Sequence, residues 1–237
     1  MPTTTESETF TGFRPEAIQF LADLAENNDR DWFTPRKSEY ERLLKRPLAA
    51  LCVALDEAFR ARGIPLEADP AGSPFRIYRD VRFSKDKSPY KTNVAASFPW
   101  AEGGDADGPH GFGEGGDPGG YFHMGPGQVY VGGGMWHPPT PKLAAFRSAV
   151  SEDPKAVRRL LDAPGFVKTF GPLSGAKLKR VPPGFPPDHP EAELLKHKDL
   201  TFGRRLADRD VAGPQLVDVI ADTLAAAVAV MRWLAAL

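Results

Sequence analysis

The sequence predicts an α+β protein, a mostly antiparallel sheet flanked by N-terminal and C-terminal helices. Three observations carry that prediction. Apolar residues recur at helical spacing near both ends of the chain and again after residue 140. Between about residues 75 and 136 the period changes to strand-like alternation. Helical and strand patterns do not alternate one by one, which argues against βαβ units and a parallel sheet.

The elements follow in order. Residues 1–12 read as a disordered tail, and residues 13–237 as one domain. In RPEAIQFLADLAENN, Ile18, Leu21 and Leu24 fall on one helical face, Pro15 suits the first turn, and Asn27 or Asn28 can end the helix in the left-handed conformation. Thr34-Pro35 reads as the cap and first residue of a second helix, which Pro47 kinks or restarts. Beyond Pro47, Leu48, Leu51, Cys52, Leu55 and Phe59 form one apolar stripe closed by Gly63. Residues 75–83 alternate as a strand, and 94–98 form a second, apolar one. Gly125-Pro126-Gly127-Gln128 is placed for a type II turn, so 121–136 read as a hairpin. Counting outward pairs Met124 with Val129, His123 with Tyr130, Phe122 with Val131 and Tyr121 with Gly132, like facing like. Helices return at 141–150, capped by Thr140, and at 154–162, capped by Asp153. A Pro-rich loop, a short helix near 190–196, a strand near 199–206 and a final helix over 214–235 complete the chain. Residues 101–120, with nine glycines and five acids, read as a flexible acidic loop, either a tolerated insertion or a lid.

Composition excludes several functions. Net charge is −1, so attraction to an anionic partner must be local. Cys52 is the only cysteine, which excludes an internal disulfide and a thiolate zinc site. The five histidines lack metal-binding spacing, and no metal is expected. No run of about 18 apolar residues is present, and the polar N-terminus lacks a signal core. The expectation is a soluble, cytoplasmic protein.

The local charge lies in FRIYRDVRFSKDKSPYKTN, residues 75–93, with six basic side chains against two acids. Read as a strand, Phe75, Ile77, Arg79, Val81 and Phe83 share a face that Arg79 interrupts. A guanidinium among apolar neighbours needs a carboxylate or an anion to fork against. Arg79 is therefore either an internal ion-pair partner, with Asp80, Asp86 or a helix acid, or part of an anion clamp with Arg76, Arg82, Lys85, Lys87 and Lys91. On the hairpin, Tyr121, His123, Tyr130 and Trp136 share a face with Gly132 and Gly134. The missing side chains leave room for a ligand, with Tyr130 and Trp136 as walls, or for a packed helix. His189 lies in a third basic cluster, KLKRVPPGFPPDHPEAELLKHKDL, where Asp188 suits a helix cap. His123 and His189 are the candidate proton carriers. The pattern points to an anionic, phosphate-bearing small ligand of unknown identity, with no cofactor indicated. The alternatives are a nucleic-acid-binding module, with Tyr78, Phe83 and Tyr90 as stacking rings, and a scaffold whose basic motif forms internal ion pairs. Net charge and the acidic loop disfavour nucleic acid.

NNDRDWF, FRIYRDVRFSKDKSPYKTN, YFHM…GGGMWHP and DHPEAELLKHKDL together resemble a widespread bacterial and fungal family, domain of unknown function 2461. The resemblance runs from Phe10 to the C-terminal helix and implies no activity or cofactor. Residues 101–120 look like an insertion relative to its pattern, and Thr34-Pro35 departs from the commoner acidic-small pair.

Overall fold

A computed structural model describes residues 9–102 and 116–237. Four antiparallel strands form a meander in the order β1 (Val94–Pro99), β2 (Gly119–Gly125), β3 (Gln128–Met135), β4 (Leu200–Leu206). The hairpin register matches the sequence-derived pairing at all four positions, and Gly127 supplies the positive φ (63°) that a type II turn requires. Helices stand at both ends of the chain, and the fold is α+β.

One face of the sheet is sealed by helices. Phe98, Phe122, Met124, Val129, Val131 and Met135 are essentially fully buried there. Phe122 stacks against Phe13, and Phe98 meets Phe59 edge-on at 5.5 Å. Each such ring contributes about 1.5–3 kcal/mol through burial. Phe10, expected in the tail, is also buried and packs against Phe13; residues 1–8 lie outside the described residues.

α1 (Pro15–Glu26) ends as expected in sequence but by another device. Asn27 is not left-handed; its side-chain amide donates back to the Asp23 carbonyl at 2.9 Å. The next helix starts four residues before Thr34. Asp29 accepts from the Trp32 N–H at 2.8 Å and caps α2 (Arg30–Phe33). Thr34 has helical φ and ψ and ends α2 instead of capping the start of a helix. Pro35 falls in a 3₁₀ turn (Thr34–Arg36), followed by α3 (Lys37–Tyr40) and a π turn (Glu41–Lys45). The π turn widens the ladder just ahead of Pro47, whose ring would clash with the carbonyl four residues back. The helix then continues as α4 (Arg46–Arg62) to a left-handed Gly63. Cys52 lies in its buried stripe, and burial, with the nearby Asp69 charge, pushes its thiol up to about 12.

In the second half, α5 (Thr140–Glu152) has no side-chain cap, so Thr140 does not act as one. Asp153 caps α6 (Pro154–Leu161) as expected, bonding the Ala156 N–H at 2.9 Å. α7 (Pro164–Phe170), not anticipated, places Phe166 and Phe170 against Phe202 of β4. The short α8 (Ala192–Leu195) precedes β4. The expected single C-terminal helix is two, α9 (Leu216–Ala225) and α10 (Val228–Ala235). The bend follows Thr223, whose hydroxyl donates to the Val219 carbonyl at 2.6 Å and receives Arg204 Nε at 3.0 Å. No helix among the described residues is long and apolar enough to cross a membrane.

The segment expected as a strand over 75–83 is instead an irregular arm. It meets the outer edge of β1 through the Pro74–Ala96 bridge and the Phe75 N–H to Ala95 carbonyl bond at 2.9 Å. It then folds back, with Arg79 N–H on the Pro89 carbonyl and Lys91 N–H on the Ile77 carbonyl. Strand alternation fails beyond Ile77. Phe83, placed by periodicity on the apolar face, is 96% exposed at the arm's tip.

Candidate functional site

The arm is held at its base by a side chain remote in sequence. The Asn28 amide donates to the Tyr90 carbonyl and its oxygen accepts the Tyr90 N–H, both at 3.0 Å. One side chain thus plays the part of a neighbouring strand. The Tyr90 ring, stacked on Phe33 at 4.1 Å, is buried. Nothing in the residue types around Asn28 signals this fork, because its partner lies 62 positions away.

Between the arm and the uncovered face of the sheet lies an open cleft of about 440 Å³ lined by Phe75, Arg79, Asp80, Lys91, Asn93, Ala95, Tyr121 and His123. The register explains the gathering. Ala95 pairs with His123 on adjacent strands, and Tyr121 lies two residues along β2 on the same face. Asn93, just before β1, brings its amide nitrogen within 3.3 Å of His123 Nδ1, and Tyr121 Oη is also 3.3 Å from that atom. The Asn93 amide nitrogen can only donate, so Nδ1 accepts, which favours the neutral tautomer protonated at Nε2. Burial pushes the His123 pKa down, which also keeps the ring neutral, and pushes the Tyr121 hydroxyl up.

Of the basic residues, the cleft takes in Arg79 and Lys91. Arg79 is bound to Asp86 within the arm and is only partly buried, so its expected place on an apolar face is corrected. Asp86 is held well below the usual carboxylate range by Ser88 and then Arg79. Lys91 lies 5.1 Å over the Phe75 ring, and its pKa is lowered by burial and then by the neighbouring Arg76 charge. Arg76 is exposed.

The other expected site residues sit elsewhere. Arg82 forks to Asp80, holding that carboxyl down at about 2, and points along the exposed arm. Lys87 donates to the Val81 carbonyl at 2.9 Å, and Lys85 is exposed near the tip. Tyr130 shares the sheet face with Tyr121, but its hydroxyl bonds the Phe202 carbonyl at 3.1 Å. A β-carbon on Gly203 would meet the Tyr130 hydroxyl at 2.0 Å and one on Gly132 would meet it at 2.8 Å. The glycine groove is therefore filled by this ring, neither by a helix nor by open space. At Gly134 the backbone itself fills the room, since an added β-carbon would lie 2.1 Å from the Leu200 carbonyl oxygen. Trp136 is past the end of β3, half-exposed and tilted against His137 with ring centroids 4.1 Å apart, and it does not line the cleft. His189 accepts the Glu191 N–H at Nδ1 (3.0 Å), and α8 has no side-chain cap, so Asp188 does not act as one.

The acidic stretch also departs from expectation. Gly119 and Gly120 belong to β2, and residues 103–115 lie outside the described residues. Its described ends leave from the Pro99 end of β1, about 20 Å from the Asn93 end at about 3.3 Å per residue. There Glu102 forks to Arg232 of α10, and Asp117 lies 3.8 Å from Lys142. A second recess, of about 350 Å³, separates residues 9–14 from the π turn and α4. It includes Arg14 and Arg42 but none of the residues selected from sequence. Among the described residues no cluster of three or more metal-ligating side chains occurs.

A helix-backed antiparallel meander, with one open face and a basic arm laid along its β1 edge, defines an α+β domain with a cationic edge cleft. The chain belongs to a family described as conserved hypothetical protein, domain of unknown function 2461, whose model matches residues 16–233. No curated protein and no solved structure matches it.

Proposed function

We propose that the cleft between the arm and the sheet binds an anionic, phosphate-bearing small molecule, with His123 placed to carry a proton. The observation that supports this best is the meeting of Arg79 and Lys91, from the arm, with His123, from the sheet, around one opening. Arg76, Arg79, Arg82 and Lys91 stand against Asp80 and Asp86, so the region keeps an excess of positive charge after its internal pairing. Lys91 has no carboxylate partner among the described residues, and an anion would supply one. His123, neutral near pH 7, can accept a proton, and Tyr121 beside it can donate one.

The test is titration with inorganic phosphate, followed by amide NMR shifts. Saturable shifts at Lys91, Asn93 and His123, abolished in Lys91→Ala, are expected. Phosphate shifts that are absent, or spread evenly over the arm, would refute the reading. Binding of generic RNA or DNA at physiological salt, fading as salt rises, would favour a nucleic-acid module instead.

A further inference from the structure

Lys91 differs from the other basic groups of the arm in ways that bear on reactivity. Arg79 and Arg82 are tied to carboxylates and Lys87 to a carbonyl. Lys91 has neither kind of partner for its amine among the described residues. Its main chain is fixed by the bond from its N–H to the Ile77 carbonyl, and its amine lies over the Phe75 ring. It opens onto the cleft that also holds Tyr121 and His123. An amine in a partly apolar wall, beside another cation and with no carboxylate bonded to it among the described residues, is the arrangement that turns a lysine into a nucleophile.

Resting on the anion-binding reading above, we propose that Lys91 forms an imine with an anionic aldehyde or ketone held in the cleft. The neutral amine nitrogen attacks the carbonyl carbon, and the π electron pair moves to oxygen. A proton passes from nitrogen to that oxygen, giving a carbinolamine. The C–O bond then breaks as the hydroxyl takes up a proton from a relaying side chain and leaves as water, nitrogen and carbon become doubly bonded, and the second nitrogen proton returns to that side chain to leave the neutral imine. One water is released and nothing is oxidised or reduced. Tyr121 and His123 are the groups placed to relay these protons, and Arg79 to hold the anionic end of the substrate. Among the described residues, Arg79, Asp80, Tyr121 and His123 line the cleft with Lys91, and the Arg76 charge acts on its amine. Arg76 suppresses the charged amine, and Asp80 is already engaged by Arg82.

The probe is pyridoxal 5′-phosphate, an aldehyde carrying a phosphate, trapped by borohydride and mapped by peptide mass spectrometry. A single reduced adduct at Lys91 is expected to form faster than at any other lysine. It should be slowed by added inorganic phosphate and should form more slowly with pyridoxal, which lacks the anion. Lys91→Arg should lose the adduct but keep the phosphate-induced NMR shifts. Adducts spread over Lys85, Lys87 and Lys198 with no preference for Lys91 would overturn the proposal. Phosphate shifts at the cleft without a Lys91 adduct would overturn the imine chemistry alone. A Lys91 adduct formed equally well by pyridoxal, with no phosphate shifts, would overturn the anion reading and with it the substrate class.

Discussion

On one face of the sheet Phe98, Phe122, Met124, Val129 and Val131 are sealed under helices. On the other, one residue along each strand, Tyr121, His123 and Tyr130 are only partly covered. The first face is a matter of volume, and its side chains are interchangeable within limits of size. The second, among the described residues, is covered by its own side chains and by the arm. Tyr130 lies across Gly203 and Gly132, Tyr121 turns its hydroxyl to His123, and the arm overhangs the β1 edge. The difference teaches where chemistry has room. Polar atoms on the open face can trade partners with a ligand, while a change on the closed face can alter only stability.

The contrast can be broken most forcefully from the closed side. Phe122→Ala should destabilise by about 3–5 kcal/mol in urea denaturation, because the ring is fully buried against Phe13. A loss no greater than that of an exposed substitution would mean the helices do not seal this face.

A smaller effect is expected where the open face covers itself. Gly203→Ala should cost about 1–3 kcal/mol, since the new methyl occupies the place of the Tyr130 ring. In a Tyr130→Ala background the same change should cost clearly less, because the two sites share one contact. Equal costs in both backgrounds would show that the ring does not lie there.

The smallest effect is the titration of His123. Burial lowers its folded pKa, so the unfolded chain takes up the proton first as pH falls through about 6.5. The favourable contribution is complete above that pH and is lost as pH falls toward the folded value. His197, also lowered by burial, adds a term of the same sign. His123→Gln should therefore flatten the decline of stability below about pH 6.5, measured as urea midpoints across a pH series. An unchanged slope would place His123 in water, not in the cleft wall.

Legibility in the sequence divides along the same line. The hairpin register was readable because a Pro-Gly turn fixes the count and alternation fixes the face. The stripe from Leu48 to Phe59 was readable for the same local reasons. The arm was not, because Asn28, Tyr90 and Phe33 hold it across long separations. Periodicity sees only near neighbours, so it assigned Phe83 to a core it never enters. Arg79, Lys91 and His123 could each be picked out as unusual residues. Their meeting depended on how the arm docks on β1, and Asn93, though it closes the basic motif, carried no signal of its own beyond its position before a strand. His189 accepts a local backbone bond from Glu191, a contact that residue type alone does not reveal.

The chain's single sulfhydryl gives this architecture a built-in clock. Cys52 is sealed in the α4 stripe, and its thiolate is suppressed far above neutral pH. A thiol reagent in solution therefore has nothing to react with until α4 leaves the sheet. Fraying of the arm or opening of the cleft would pass unrecorded, whereas each opening of the core would leave one covalent mark. The rate of labelling thus separates motion that serves the open face from collapse of the closed one, with no engineered reporter.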